Sequence, residues 1–177
     1  SINANIGFVL KASPSLIITV DAYQVQIKDR VVLSGQFSVD DITLDPVLID
    51  SMQSKNVSLA QFFANAVNTT NRGIDIVAEY NKKLGGDRSF RGLFTANFQK
   101  MTIDKINVPA KLNDSKDHRD AFLSDREQKF ILASAPNTKF AFNFEYGMKK
   151  FTVGTRFTYF GKVVLLGYGE DGLGIDP

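Results

Sequence analysis

At 177 residues the chain has the length of one domain, and 44% hydrophobic with 23% charged residues is neither a disordered nor a helical-membrane composition. A net charge of +2 from scattered basic residues supplies no stripe for nucleic acid, so that partner is not expected. The absence of Cys excludes disulfides, thiolate zinc sites and thiol nucleophiles together. Fifteen Phe and five Tyr without Trp are the first positive signal. No run approaches the roughly 18 apolar residues of a membrane helix, but barrel strands alternate and escape that test. No basic-then-apolar leader opens the sequence, so a signal peptide is expected on a longer precursor.

Alternation dominates the pattern from the start. Ile2, Ala4, Ile6, Phe8 and Leu10 interleave with Asn3, Asn5, Gly7, Val9 and Lys11. After Ser13-Pro14-Ser15 a second run sets Leu16, Ile18, Val20 and Ala22 against Ile17, Thr19, Asp21 and Tyr23, and an extended pattern continues through Val25, Ile27 and Val31 to Gly35. Ile74, Ile76, Ala78 and Tyr80 then face away from Asp75, Val77, Glu79 and Asn81. Gly92, Phe94, Ala96 and Phe98 alternate with Arg91, Leu93, Thr95 and Asn97. Phe140, Phe142, Phe144 and Tyr146, and finally Phe151, Val153, Thr155, Phe157 and Tyr159, complete six strands. Successive strand side chains point to opposite faces, so each run has one apolar and one polar face.

A soluble antiparallel sandwich alternates too. Two features favour a barrel wall. Short connections at Ser13-Pro14-Ser15, Gly85 to Arg88 and Gly147 to Lys150 take turns with two of some thirty residues, about Gln36 to Thr70 and Ile103 to Thr138. The long connections therefore emerge at one end, as in transmembrane barrels, whereas compact soluble domains rarely carry long structureless loops. Charges also sit mid-strand: Asp21, Asp75, Glu79, Arg91, Glu145 and Arg156 share the face opposite the Phe and Ile side chains. A dry interior penalises unpaired charge and a wet lumen does not. Tyr80, Tyr146 and Phe151 beside the short turns, with Phe98 and Tyr159 near the other strand ends, suit two aromatic girdles.

The long connections carry weaker signals. Ser124 followed by Glu127 has capping-box spacing and predicts a short helix from Asp125 to Ala133, ending before Pro136, with Phe130, Ile131 and Leu132 as its apolar side. Ser58 to Gln61 has similar spacing, but Phe62 to Val67 reads equally as helix or strand. Asp40, Asp41 and Asp45 in one loop, and Asp114, Asp117, Asp120 and Asp125 in the other, lack the ordered spacing of an EF-hand and read as solvated loop residues. His118 is the only His, so neither a His-cluster metal site nor a His-based triad is available. Gly167 to Gly174 lacks the context and Lys of a phosphate cradle. No catalytic constellation is present, and neither enzyme activity nor a cofactor is expected.

Several phrases resemble one family. Leu16 to Tyr23 followed by Ile27 to Gly35, Phe62 to Asp75, Asp125 to Gln128 followed by Pro136 to Lys139, and Tyr159 to Val163 are similar, in the family's own order, to barrel segments of TonB-dependent outer-membrane receptors. The match spans roughly Ile6 to Gly169 and favours a strand at Phe62 to Val67. It implies an all-β fold: an antiparallel up-and-down hairpin meander of about six strands, part of a 22-stranded transmembrane barrel, with a short helix in a long loop. Residues 1–177 would be a partial barrel domain, lacking the plug and, at Gly172 to Pro177, the closing aromatic-terminated strand. The implied parent lies in the bacterial outer membrane and imports a scarce nutrient (an iron chelate, cobalamin or an oligosaccharide) with energy from the TonB complex acting through the plug.

In that setting Asp21, Asp75, Glu79, Arg91, Glu145 and Arg156 face the lumen and plug. The loop residues Asp114, Asp117, His118, Arg119 and Arg126 are candidates for substrate contact. The expected partners are the plug of the same full-length chain, the TonB complex through it, the small-molecule nutrient and outer-membrane lipid. An isolated six-stranded piece is expected to self-associate through its edges or its Phe-rich face. The alternatives are a soluble secreted β-sheet binding or adhesion module, and a passive porin-like channel.

Overall fold

In a computed structural model, residues 1–40, 46–113, 116–133, 135–163, 165–166 and 174–175 are described. The chain is all-β and mostly antiparallel. Its main sheet has six strands in the order β1 (Ile2–Ser13), β2 (Leu16–Leu33), β5 (Phe63–Gly85), β6 (Arg88–Ile106), β7 (Thr138–Met148) and β8 (Phe151–Phe160). The sheet order follows the chain order, as an up-and-down meander requires. Phe62 to Val67, ambiguous in sequence, enters β5 at Phe63.

Three two-residue connections, Pro14–Ser15, Gly86–Asp87 and Lys149–Lys150, make the tight turns. Gly86 and Asp87 have φ of 60° and 55°, the left-handed region that short hairpins need and that Gly and Asp tolerate. Lys149 (φ 53°) is less suited to it, and its N–H donates to Asp87 O at 2.9 Å, tying neighbouring turns together.

The long connections are not structureless. The first holds β3 (Phe37–Ser38), α1 (Pro46–Ser54) and β4 (Leu59–Ala60), with β3 and β4 paired antiparallel. The second holds a 3₁₀ turn (Ala110–Leu112), α2 (Lys116–Phe122) and α3 (Asp125–Leu132). The helix expected after Ser124 is α3. Ser124 Oγ accepts from Arg126 N at 3.2 Å, and the Glu127 carboxylate accepts from Ser124 N at 3.0 Å, the reciprocal pair that satisfies two orphan donors. Neither α1 nor α2 has Glu or Gln at the capping-box spacing, since Leu48 and His118 stand three residues after Asp45 and Ser115. The short pair β9 (Leu165–Leu166) and β10 (Gly174–Ile175) lies in the tail; the rest of the Gly167 to Gly174 segment is outside the described residues.

The chain forms two compact units. The first comprises residues 1–25, 71–101 and 135–163, and the second residues 26–70, 102–134 and 164–177. Among the described residues nine apolar side chains are buried, and eight of them belong to the second unit; Ala96 alone belongs to the first. The second unit's core gathers Val32, Phe37, Ala66, Val67, Leu112, Phe122 and Leu123. Phe62 stacks on Phe37 with ring centroids 5.6 Å apart and lies 5.9 Å from Phe122. Buried Ser34 and its neighbour Gly35 fasten one connection each to this core. Its N–H donates to Phe62 O at 2.9 Å and its Oγ accepts from Phe62 N at 3.1 Å, while Gly35 N donates to Phe122 O at 2.9 Å.

Asp29 interrupts β2 with a φ of 54°, and its N–H donates to Asn68 Oδ1 at 2.9 Å. A left-handed residue inside a strand resets which side chains face inward, as a bulge does. Val32 and Ser34 beyond it are buried while Val31 and Leu33 stay exposed.

Phe122→Ala should leave a cavity in the second unit's core and cost about 3–5 kcal/mol there. Hydrogen exchange should then quicken in residues 34–37 and 62–67 and stay unchanged in the β7–β8 hairpin. Equal quickening in both would contradict two separately packed units.

Candidate functional site: a two-faced sheet

The register of the last three strands fixes their faces. Phe90 pairs with Tyr146 and Tyr146 with Val153; Gly92, Phe144 and Thr155, then Phe94, Phe142 and Phe157, then Ala96, Phe140 and Tyr159, follow as successive rows. Between these rows lie Arg91, Glu145 and Gly154, then Leu93, Asn143 and Arg156, on the opposite face. Contacts extend both faces across the first unit. The Tyr80 ring lies 5.8 Å from that of Phe90, placing Tyr80 and, by alternation, Ile74, Ile76 and Ala78 on the Phe face. Asn97 Nδ2 donates to Asp75 Oδ1 at 2.6 Å and to Tyr23 Oη at 3.2 Å, so Asp75, Tyr23 and, by alternation, Glu79 and Asp21 share the polar face.

The polar face is a lattice of cross-strand hydrogen bonds. Arg91 pairs with Glu145 at 3.1 Å and donates through Nε to Asn81 Oδ1 at 3.2 Å. Arg156 donates to Asn143 Oδ1, and Asn71 Nδ2 to Gln99 Oε1 at 2.9 Å. Arg91 and Glu145 are 68% and 48% exposed, which holds their pair to about 1 kcal/mol or less in water. These groups lie along an open hydrated surface rather than inside a core. Gly73 belongs to the same design: a Cβ there would lie 2.3 Å from Tyr23 Oη, so only Gly lets the Tyr ring rest against the sheet and reach Asn97.

Among the described residues nothing covers the Phe face. Phe157 is 63% exposed, Phe151 75% and Phe8 69%, and Phe94 and Phe142 are only partly shielded by their neighbours on the same face. Its apolar rows stop sharply at charged positions. In β6 the run from Phe90 to Phe98 lies between Arg88 and Lys100, and in β5 the run from Ile74 to Tyr80 lies between Arg72 and Lys82. At about 3.3 Å per residue the charges stand roughly 33–40 Å apart along the strands. Strands tilted by about 40°, as in a barrel, would reduce that span to roughly 25–30 Å, the height of a barrel's apolar band. Sequence reading missed this boundary, although its signal was there: charges at positions 72, 82, 88 and 100 fall in phase with the apolar residues.

Of the loop candidates, Arg126 lines a cavity of about 470 Å³ in the second unit, together with Arg30, Gln36, Gln61 and Phe130, and its guanidinium lies 5.6 Å from the Phe130 ring centroid. Arg119 sits on α2 and donates to Asn113 O at 3.4 Å. The backbones of Asp117 and His118 belong to α2, and Asp114 lies outside the described residues. The structure thus assembles the six polar-face residues on one surface, while of the five loop residues only Arg119 and Arg126 have described side chains, on α2 and α3. No group of three His or acidic side chains converges for a metal ion among the described residues.

Gly73→Val should displace Tyr23, break its bond to Asn97 and destabilise the sheet by about 1–3 kcal/mol through overpacking. A lowered thermal midpoint that Tyr23→Ala largely restores in the double variant is the expected result. An unchanged midpoint would mean the ring does not lie where described.

No protein-family model, no curated protein and no solved structure matches this chain.

Proposed function

We propose that the chain is a wall segment of a TonB-dependent receptor barrel in a bacterial outer membrane, and that its parent binds and imports a scarce nutrient such as an iron chelate, cobalamin or an oligosaccharide. The observation that carries this reading is the apolar band of the first unit, ended by cations in two neighbouring strands; a barrel's strand tilt of about 40° would set its height at roughly 25–30 Å. Monomeric soluble proteins rarely expose contiguous apolar patches beyond a few hundred Å². A soluble sandwich covers its apolar face with a second sheet, and among the described residues of this unit there is none.

On this reading the polar face lines a wet lumen, where Asp21, Asp75, Glu79, Arg91, Glu145 and Arg156 contact the plug of the same full-length chain. The two long connections, which belong mostly to the second unit, form external loops that present substrate contacts, Arg126 among them. The TonB complex acts through the plug, and the barrel closes with 22 strands. The family resemblance suggests the receptor class and the strand number; the sheet's two faces support a barrel wall. The chain's part is structural and binding rather than catalytic.

Deleting the gene should abolish TonB-dependent growth on one limiting nutrient among ferric chelates, cobalamin and oligosaccharides, and wild-type complementation should restore it. Unchanged growth on all three classes, each supplied at limiting concentration, would contradict the import function.

A further inference from the structure

A groove of about 850 Å³ crosses the first unit where the apolar band meets its cationic border. Its lining draws three consecutive residues from each of four strands, 4–6, 22–24, 72–74 and 98–100. The outer members of each triplet point to the Phe face, so the groove lies on that face. Ala4, Ile6, Ala22, Ile74 and Phe98 give it an apolar floor, and the small Ala side chains account for its depth. Gln24, Arg72 and Lys100 form its polar rim.

The rim is electrostatically unfinished. Antiparallel pairing that sets Asp75 beside Asn97 also sets Arg72 opposite Lys100, because each step back along one strand is a step forward along the other. Like charges directly opposite one another on one face repel. Arg72 donates through Nε to the neutral Gln24 Oε1 at 2.7 Å, which orients the guanidinium without neutralising it. Neither Arg72 nor Lys100 has a carboxylate partner among the described residues, and both are exposed.

We propose that this groove is a binding site for one anionic lipid, whose headgroup phosphate sits between Arg72 and Lys100 while its acyl chains lie along the apolar floor toward Phe98. The site rests on the reading that the Phe face meets lipid. A phosphate relieves the repulsion between the two cations and accepts the paired N–H donors of a guanidinium in matching geometry. The position agrees with the chemistry, since polar headgroups lie where the apolar rows end. A free phosphate finds the same cations but gains nothing from the floor, so the structure favours the lipid.

Native mass spectrometry of the full gene product, released from micelles doped with equal phosphatidic acid and phosphatidylcholine, tests the site. Wild type should retain phosphatidic acid in preference, and millimolar inorganic phosphate should not displace it. The double substitution Arg72→Gln with Lys100→Gln should reduce retention at least about tenfold, given the contribution of each basic residue at an anionic surface. Arg72→Lys alone should keep most of it, which guards against a folding artefact. Equal retention of both lipids, full retention by the double variant, or displacement by phosphate would each overturn the site. A p-benzoylphenylalanine in place of Phe142 separates the two levels of failure. Crosslinking to acyl chains without headgroup preference removes the site alone, while no crosslinking to lipid removes the wall reading and the site with it.

Discussion

A sheet one layer thick must find something outside itself for each of its faces, and the first unit of this chain makes opposite demands on its two sides. One face carries rows of Phe, Tyr, Ile and Val with nothing folded over them among the described residues. The other carries Arg91, Glu145, Asn143, Arg156, Asp75 and Asn97 in cross-strand hydrogen bonds that water can reach. Burying the first face in water-soluble fashion requires a second apolar layer, whereas lipid satisfies it directly. Burying the second in a dry core costs several kcal/mol for each imperfectly paired charge. An apolar solvent on one side and water on the other meets both demands without either cost.

The second unit obeys ordinary globular rules. Its core of Val32, Phe37, Ala66, Val67, Leu112, Phe122 and Leu123 is assembled largely from segments that sequence reading treated as loops. Backbone polar groups in those segments are not left to solvent: Ser34, Gly35 and Phe62 bond across the two connections around that core. Ordered loops of this kind hold side chains in fixed positions for recognition more precisely than mobile ones do, because less conformational freedom is lost on binding. The cavity beside Arg126 and Phe130 lies in this unit.

How much of this was legible in the residues depends on the period. Period-two alternation identified all six long strands and the membership of both faces, because one slip of register would exchange every side chain between them. The α3 helix was legible from Ser124 and Glu127 because a capping box is a local device. Three things were not. The left-handed Asp29 resets the alternation of β2, so Val31, Val32 and Leu33 gave no clear inside. The helices α1 and α2 fold within long connections, and the sequence there has no Glu or Gln at capping-box spacing after Asp45 or Ser115. The rim of Gln24, Arg72 and Lys100 emerges only when three strands are aligned, since charged residues in a single strand look like ordinary strand ends. Of Asp114, Asp117, His118, Arg119 and Arg126, which were grouped by proximity in sequence, Arg119 falls on α2 and Arg126 on α3.

The most direct test of the two-solvent account is site-directed spin labelling along β8, in the full gene product in its membrane, one nitroxide at a time from Val153 to Thr158. Because the chain has no native Cys, each label can be attached through a single introduced thiol within this segment. The account predicts that collision with oxygen is high at 153, 155 and 157, and that collision with a water-soluble nickel chelate is high at 154, 156 and 158, with a period of two residues. Uniform access to the nickel chelate at all six positions, or burial of Phe157 from both reagents, would contradict it.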